Sequence, residues 1–258
     1  MMKFYKYQGT GNDFVMIDNR LGEWDDLSIE NIQKLCDRRF GIGADGLIKI
    51  NSAKGVDFEV DYYNSDGSKS FCGNGARCSV AFAHFLDMIE DKTTFTAIDG
   101  IHEAEIKNGI VKLKMGNVHN INTDGDDFVL NTGSPHYVKY VEMLNNYNVY
   151  KIGNEIRNSE TYKKEGINVN FVEKISDKEL FVRTYERGVE DETYSCGTGV
   201  TAAALTFMKN NNQTFVGVKV TGGQLKVYAE KDGEGFKNIW LEGPAVQVFK
   251  GDINLDKA

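Results

Sequence analysis

The sequence predicts a mixed α and β protein built from two similar halves, and three observations support this. Alternating apolar and polar residues with a period of two, as in residues 56–62 and 179–185, indicate half-buried strands. Asn108-Gly109 and Gly222-Gly223 lie between such runs, so hairpins and antiparallel pairing are expected. The pattern Cys-Gly-polar-Gly occurs at residues 72–75 and again at 196–199, about half the chain apart.

Helical spacing is less frequent than strand spacing. Ser28 is expected to cap a helix, because the apolar residues that follow it fall on one stripe. That stripe consists of Ile29, Ile32, Leu35 and Cys36. Two further helices are predicted over residues 76–89 and 200–208, each directly after one copy of the cysteine pattern. We therefore expect two similarly built halves that face one another.

Composition narrows the class of function. The formal net charge of -8 and the acidic pI disfavour nucleic acid or an anionic membrane as a partner, so a small-molecule substrate is expected. The N-terminal residues lack a signal-peptide core, and no run reaches the roughly 18 apolar residues of a membrane span. A cytoplasmic protein is predicted, and its four cysteines are expected to be free thiols.

The repeated pattern points to thiol chemistry at Cys72 and Cys196. A cysteine that begins a helix lies at the positive end of the helix dipole, which favours the thiolate. The glycines that follow let backbone N–H groups approach a carboxylate closely. Inversion of a stereocentre needs a base on one face of the carbon and an acid on the other. Two equivalent thiols meet that need, so the sequence predicts a cofactor-independent amino-acid racemase or epimerase.

Other sequence features give weaker indications of function. Residues 41–46 match a dinucleotide-binding fingerprint, but a helix-like segment precedes them and a strand-like one follows, which is the reverse of the required order. No spacing of cysteine or histidine predicts a metal site. Cys36 and Cys78 are expected to be inert core thiols. His136 is interpreted either as a loop histidine or as a residue that tunes a cysteine. The Glu186-Arg187 pair could read a charged end of the substrate.

The same residues resemble the diaminopimelate epimerase family, and the match is long and ordered. The motifs are Gly-Thr-Gly-Asn-Asp-Phe at residues 9–14, Asn-Ser-Asp-Gly-Ser at 64–68, Phe-Cys-Gly-Asn-Gly-Ala-Arg-Cys at 71–78, Glu-Arg-Gly at 186–188 and Cys-Gly-Thr-Gly at 196–199. The resemblance runs from residue 4 to the Gly-Pro-Ala-Val stretch at 243–246. It covers almost the whole chain.

The resemblance implies an α+β fold of two pseudo-symmetric domains, each a mostly antiparallel curved sheet around a central helix. The expected halves are residues 1–116 with a returning strand at 246–258, which carry Cys72, and residues 117–245, which carry Cys196. It also implies interconversion of LL- and meso-2,6-diaminopimelate without pyridoxal phosphate, on the route to lysine and peptidoglycan. A homodimer is a further expectation from the resemblance.

Residue roles follow from the matched positions. Cys72 and Cys196 match the acid and base of the family, and His136 and Glu186 match positions that adjust the thiol pKa values. Backbone groups that hold the reacting end of the substrate match Gly73, Asn74, Gly197 and Thr198. The other substrate contacts match Asn12, Asn64, Asn168, Glu186 and Arg187. Arg187 is the expected partner of the distal carboxylate, through a bidentate contact.

Three features depart from the common family pattern. Gly46 stands where a glutamine contact is often found, Ser134 replaces an asparagine, and the loop between Glu186 and Cys196 is one residue longer. Both substituted positions bear on recognition of the substrate. Two alternatives to the diaminopimelate reaction therefore stay open. One is racemisation of another amino acid, such as histidine or hydroxyproline, and the other is a non-catalytic dithiol protein that senses redox state or binds a ligand.

Overall fold

The computed structural model describes residues 1–211 and 213–255, and the chain divides into two compact units. The first unit contains residues 1–113 and the chain from Gly243 onward, and the second contains residues 114–242. Cys72 therefore belongs to the first unit and Cys196 to the second.

The elements of the first unit are strands with two α-helices between them. In chain order they are β1 (Met2–Gly9), β2 (Asn12–Asp18), α1 (Ile29–Cys36), β3 (Gly46–Asn51), β4 (Phe58–Asn64), α2 (Gly73–Phe85), β5 (Lys92–Ala97), β6 (Gly100–Lys107) and β7 (Ile110–Lys114).

The second unit repeats this alternation. Its elements are β8 (Asn122–Asp124), β9 (Asp127–Asn131), β10 (Pro135–Tyr140), a 3₁₀ turn (Leu144–Asn146), α3 (Val149–Arg157), β11 (Asn168–Ser176), β12 (Glu179–Glu186), β13 (Asp191–Thr193), α4 (Gly197–Asn210), β14 (Phe215–Val220), β15 (Gly223–Asp232) and β16 (Gly235–Pro244). The chain then returns to the first unit in β17 (Val246–Ile253).

Strand pairing follows the same order in both units. In the first unit β1–β2 is antiparallel, β2–β3 parallel, β3–β4 antiparallel, β4–β5 parallel, and β5–β6 and β6–β7 antiparallel, while β17 pairs antiparallel with β1. In the second unit β9–β10 is antiparallel, β10–β11 parallel, β11–β12 antiparallel, β12–β14 parallel, and β14–β15 and β15–β16 antiparallel. Helices α1 and α3 follow the second strand of each series, and α2 and α4 follow the fourth. The predicted α+β fold of sheet and helix is confirmed.

Helices α2 and α4 are the buried helices of their units. Eleven residues are buried in each of them, beginning with the first glycine. Most of these residues are glycine, alanine, serine or threonine, whose small side chains let strands approach the helix backbone closely. Because both helices are buried on nearly all sides, their apolar residues are not confined to a one-sided stripe.

The predicted hairpins form, one of them with a shifted turn. Asn108 and Gly109 both have positive φ and connect paired residues Lys107 and Ile110, as a type I′ turn requires. The predicted Gly222-Gly223 turn is one residue too late. Gly223 already pairs with Val220 in the ladder, so the tight turn is formed by residues 221 and 222.

The predicted helices need correction at their ends. Ser28 caps α1 by accepting from the Asn31 N–H, and three of the four stripe residues are buried, but Ile29 is 57% exposed. Helix α2 begins at Gly73 and ends at Phe85 instead of running over residues 76–89, since Asp87 adopts a left-handed conformation that a helix cannot continue through. The short α3, capped by Asn148, was not predicted.

The glycine-rich stretch at residues 41–46 connects α1 to β3, so the helix precedes it and the strand follows, as predicted. Within residues 1–211 and 213–255, the helices are too short or too polar to cross a membrane.

Candidate active site

Both cysteines of the repeated pattern occupy the N-cap position of a buried helix, as predicted. Cys72 precedes α2 and Cys196 precedes α4, each in extended conformation, and their carbonyls accept the first helical hydrogen bonds from Ala76 and Val200. In the part of the chain that the structure describes, neither thiol makes a capping hydrogen bond to its helix. Serine, threonine, asparagine or aspartate at the N-cap would stabilise each helix by about 1 kcal/mol, so the two cysteines are not explained by helix capping.

The thiol of Cys72 is half-buried and contacts a carboxamide. Its Sγ lies 3.3 Å from Asn12 Oδ1, which also accepts from Asn74 Nδ2 at 3.2 Å. The amide nitrogen of Asn12 donates to Asp45 Oδ2 at 2.6 Å. Because Asp45 engages the NH₂ group, the carbonyl oxygen of Asn12 must point toward the thiol and Asn74. The predicted residues Asn12, Cys72 and Asn74 are thus brought together.

An ion network holds this carboxamide in place. Arg38 donates to both Asp13 and Asp45, and the buried Lys6 forms a salt bridge with Asp13 at 2.7 Å. Burial acts to raise the pKa of Asp13, but hydrogen bonds and charges from Arg38 and Lys6 outweigh it and lower the pKa to about 2. Asp13 is therefore anionic at neutral pH, and together with Arg38 it holds Asp45, the residue that accepts from Asn12.

Arg77 is a fully buried cation in the first turns of α2. Its Nη2 donates to Asn74 Oδ1 at 3.0 Å and to Thr10 Oγ1 at 3.2 Å. Among the described residues, its Nε and Nη1 have no hydrogen-bond partner. Burial lowers the pKa of the guanidinium, while the charges of Cys78 and Cys72 act to raise it. A donor at Asn74 Oδ1 orients the Asn74 NH₂ group toward Asn12.

Cys196 has different surroundings. It is buried, with Sγ 3.5 Å from the hydroxyl of Thr198, and the backbone carbonyl of Thr198 accepts from Thr132 Oγ1 at 2.8 Å. Gly133, in a left-handed conformation, lies against the Thr198 methyl group. The start of α4 is thereby tied to the segment that leads into β10.

His136 does not lie in a loop, so that interpretation is wrong. It is a fully buried residue of β10, and Asn170 Nδ2 donates to its Nδ1 at 3.1 Å and to the Tyr137 carbonyl at 2.9 Å. Burial, and then the charge of Arg187, lower the pKa of His136 to about 3. The ring is therefore neutral, and its proton is on Nε2, which has no hydrogen-bond partner within residues 1–211 and 213–255.

The remaining predicted contacts of the second unit cluster at the start of β11 and the end of β12. The buried Asn168 donates to Ser134 Oγ at 2.8 Å and accepts from the Arg187 backbone N–H at 2.9 Å. Arg187 is exposed, and its Nη1 donates to the Glu165 carbonyl. Glu186 accepts from Thr193 Oγ1 at 2.9 Å. Ser134 thus supports Asn168.

Cys36 and Cys78, the two thiols expected to be inert, lie in the core. All four cysteines are free, and burial raises the pKa of Cys36 to about 12 and the pKa of Cys78 further still. Neither thiol ionises near neutral pH. Among the described residues, histidine, cysteine, aspartate and glutamate form no group of three that could hold a metal ion.

Sequence reasoning missed several supporting residues. Asp45 lies inside the glycine-rich stretch that matches a dinucleotide-binding fingerprint, and that match gives the residue no role. Asn170 belongs to no recognisable sequence motif. Arg77 stands within a quoted motif but received no role. Its signal was available, because an arginine inside an otherwise small and apolar helix must be buried.

Comparison with known proteins agrees with the motifs. The family model described as diaminopimelate epimerase matches residues 4–121 and 128–248. The diaminopimelate epimerase of Flavobacterium psychrophilum is 51% identical over 98% of this chain and 100% of its own length. Two solved structures share the fold at 14% identity. A phenazine biosynthesis protein of the PhzF family from Bacillus anthracis has a TM-score of 0.75, covering 98% of this chain and 99% of its own.

The second solved structure is a probable proline racemase from Agrobacterium radiobacter, with a TM-score of 0.69 over 99% of this chain and 94% of its own. At this identity the two structures bear on the fold alone. The family match spans nearly the whole sequence, and the curated relative matches over its full length. This chain belongs to the diaminopimelate epimerase family.

Proposed function

We propose that this protein interconverts LL- and meso-2,6-diaminopimelate by moving protons at one α-carbon, with Cys72 and Cys196 as the two proton carriers. The observation that carries the proposal is the matched placement of the two thiols. Each is the N-cap of the buried helix of its unit, and each is followed by a buried glycine. Two equivalent thiols provide the base and the acid that inversion of a stereocentre requires.

The proton balance closes within the pair. One cysteine, as thiolate, takes the α-proton and becomes a thiol, and the electron pair of the broken C–H bond stays on the α-carbon. The other cysteine, as thiol, donates its proton to the opposite face and becomes a thiolate. The substrate is inverted without gain or loss of atoms, and the two cysteines have exchanged roles for the reverse reaction. As the family resemblance implies, this route does not use pyridoxal phosphate.

The developing negative charge needs stabilisation, because an α-proton of an amino acid is a very weak acid. The first-turn N–H groups of a helix favour anions, and the helix dipole adds to this. We assign the α-carboxylate to the backbone groups of Gly73, Asn74, Gly197 and Thr198. Gly73 and Gly197 lack side chains that would keep a carboxylate away from these groups.

The two thiols would be tuned by different groups. Arg77 supplies a buried positive charge that interacts with Cys72 and has no carboxylate partner among the described residues, so it favours the Cys72 thiolate. His136 is neutral, so it would act through its Nε2–H as a hydrogen-bond donor and not as a cation. Glu186 is the proposed carboxylate near the second thiol.

The far end of the substrate carries a second amino-acid group. We assign its carboxylate to Arg187, and we assign further contacts with the substrate to Asn12, Asn64, Asn168 and Glu186. The exposed guanidinium of Arg187 suits a carboxylate, and the contact of its backbone with the buried Asn168 fixes the point from which the side chain extends. The reaction would serve the synthesis of lysine and peptidoglycan precursors. A cytoplasmic location and a homodimer stay predictions.

Turnover by single-cysteine variants tests the proposal. The purified, reduced protein should convert LL-diaminopimelate to the meso form, and Cys72→Ala and Cys196→Ala should each lower kcat by about a thousandfold or more. Cys36→Ala, which removes a buried thiol away from the helix starts, is the matched control and should keep most of the activity. Turnover that survives either active-site substitution would refute the two-thiol assignment. Absence of turnover in the wild type, with turnover of another amino acid, would refute the substrate.

A further inference from the structure

Asn64, one of the proposed substrate contacts, is held in one orientation by its neighbours. Its Nδ2 donates to the hydroxyl of Ser68 at 2.9 Å and to the Ser68 carbonyl at 3.3 Å. Its Oδ1 accepts from the Tyr62 hydroxyl at 2.9 Å and from Ser70 Oγ at 3.3 Å. The Tyr62 contact is the shorter of the two at Oδ1, so Tyr62 is the main support of the carbonyl side.

The ring of Tyr62 lies over Gly46. Gly46 pairs with Asn64 across the β3–β4 ladder, and Tyr62 is two residues before Asn64 on the same face of β4. A Cβ atom at position 46 would lie 2.5 Å from Tyr62 Cε2 and 3.0 Å from its hydroxyl oxygen. It would also lie 2.5 Å from the Tyr63 carbonyl. The Tyr62 ring and the Tyr63 carbonyl together leave no space for a side chain at position 46.

Glycine at this position is required by space and not by backbone conformation, because Gly46 is not among the residues with positive φ. The tyrosine hydroxyl is therefore the polar group that this chain places in the volume that a side chain at position 46 would take.

Tyr62 also packs against a residue that borders the start of α2, the helix that carries Cys72. Its ring packs edge-on against the buried Phe14, with centroids 5.8 Å apart. A Cβ at Gly75 would lie 3.5 Å from both Phe14 Cε1 and the Cβ of Cys72, so the Phe14 ring borders the start of α2. The Tyr62 ring thus keeps a fixed position relative to the helix that carries Cys72.

We propose that Tyr62 is a positioning residue for the substrate, whose hydroxyl fixes the Asn64 carboxamide, and that Gly46 is the space that admits it. The inference rests on the proposed function, since Asn64 must contact substrate for its orientation to matter. Tyr62 acts on binding of the charged amino-acid end that Asn64 recognises. It does not take part in proton transfer.

The expected signature is a change in KM with little change in kcat. Tyr62→Phe removes one oxygen and keeps the ring over Gly46 and against Phe14. We expect KM for LL-diaminopimelate to rise about tenfold and kcat to stay within about twofold of the wild type. Tyr63→Phe is the matched control, because Tyr63 is the next residue of β4, its ring packs on the opposite side against the core cluster of the first unit, and KM should not change.

A double-mutant cycle tests whether Tyr62 acts through Asn64. In an Asn64→Ala background, Tyr62→Phe should raise KM no further, since the carboxamide that it positions is gone. Ser70→Ala, which removes the longer contact to Asn64 Oδ1, should give a smaller rise than Tyr62→Phe and provides a second variant. Thermal melts of all variants check that each is folded.

The outcomes separate the two proposals. If the wild type does not turn over diaminopimelate, the proposed substrate is overturned and this inference with it. If the wild type is active but Tyr62→Phe leaves KM within twofold, only the inference is overturned. The same holds if the full rise in KM persists in the Asn64→Ala background, because the hydroxyl would then act by another route.

Discussion

The starts of helices α2 and α4 share their backbone design and differ in almost every side chain around the thiol. Both have an extended cysteine at the N-cap, glycine at the first helical position and a second glycine two residues later. At α2 that second glycine, Gly75, packs against the apolar side chains of Ile48 and Phe14. At α4 its counterpart Gly199 packs against the polar side chain of Asn170.

The charges differ in the same way. Five residues after Cys72 stands Arg77, a buried cation, and five residues after Cys196 stands Thr201, a buried hydroxyl that donates to the Gly197 carbonyl. In the proposed mechanism both thiols need a helix N-terminus that is open to an anion, which accounts for the repeated backbone. The side chains around each thiol differ, so the proposal assigns the shared role to the backbone and the individual tuning to the side chains.

Replacing Arg77 should give the largest effect on this comparison. Arg77→Met removes the donor to Asn74 and the positive charge that favours the Cys72 thiolate, so kcat/KM should fall about tenfold to a hundredfold. The free energy of unfolding should change by no more than about 1 kcal/mol, because the desolvation cost of this buried cation, which has no carboxylate partner among the described residues, offsets the two hydrogen bonds that it donates, and methionine fills a similar volume. Enzyme kinetics and urea unfolding of the same preparation measure both quantities.

Thr201→Val is the counterpart in the second unit. It should lower the free energy of unfolding by about 1 kcal/mol through loss of a buried hydrogen bond and leave kcat/KM nearly unchanged. The proposed asymmetry would be wrong if Arg77→Met kept full activity, or if it unfolded the protein while Thr201→Val abolished activity.

The two inner glycines should respond differently to a methyl group. The Cβ of Gly199→Ala would lie 2.2 Å from Asn170 Oδ1, and Asn170 is held by Thr184, His136 and Tyr137. We expect a loss of about 2 to 3 kcal/mol in the free energy of unfolding. The Cβ of Gly75→Ala would lie 3.1 Å from the end of the Ile48 side chain, which can rotate, so the loss should stay below about 1.5 kcal/mol. Urea unfolding of both variants measures the two losses. Equal losses would contradict the proposed difference between the surroundings of Gly75 and Gly199.

As the pH falls, the stability contributed by His136 of the second unit should be lost before the stability contributed by Asp13 of the first unit. The pKa of His136 is about 3 in the folded protein and near 6.5 when exposed, so the unfolded chain binds the extra proton between these values and stability falls as the pH drops below about 6.5. From pH 6.5 to pH 5 the loss from this residue is about 2 kcal/mol. The pKa of Asp13 is about 2 and its model-peptide value 3.8, so its contribution is lost only below about pH 4.

Urea unfolding at pH 7 and pH 5 measures this difference. The wild type and Asp13→Asn should lose similar stability between these two pH values, and His136→Asn should lose about 2 kcal/mol less. If His136→Asn showed the same loss as the wild type, the buried neutral histidine would not be the origin of the acid sensitivity.

The sequence predicted the features that depend on local pattern. Hairpins, the Ser28 cap and the positions of the two cysteines at helix starts follow from turn chemistry, capping and glycine placement, and the structure confirms them. The duplicated Cys-Gly pattern predicted two similar halves, and the order of strand pairing repeats in both units. The predictions of the length of α2 and of a loop position for His136 were wrong. Neither the left-handed conformation of Asp87 nor the burial of a histidine in a strand can be recognised from a short sequence pattern.

The supports of the site could not be predicted, because they join residues that are distant in sequence. Asp45 orients Asn12 across 33 positions, and Asn170 holds His136 across 34. Each contact depends on the register of parallel strands, β2 with β3 and β10 with β11, which only the folded sheet sets. The need for glycine at position 46 likewise depends on the folded sheet, which places the Tyr62 ring and the Tyr63 carbonyl beside it.

Cys72 and Cys196 are proposed to divide the roles of base and acid, and hydrogen exchange with solvent distinguishes two proton carriers from one. LL-diaminopimelate is incubated with the reduced enzyme in heavy water, and both stereoisomers are analysed for deuterium at the α-carbon during the first few per cent of conversion, with the experiment repeated from the meso form. Two separate proton carriers predict meso product that carries solvent deuterium and recovered LL substrate that carries none. Deuterium in recovered substrate at the rate of product formation, or product that retains the original hydrogen, would mean that a single group handles both proton transfers, and the account would be wrong.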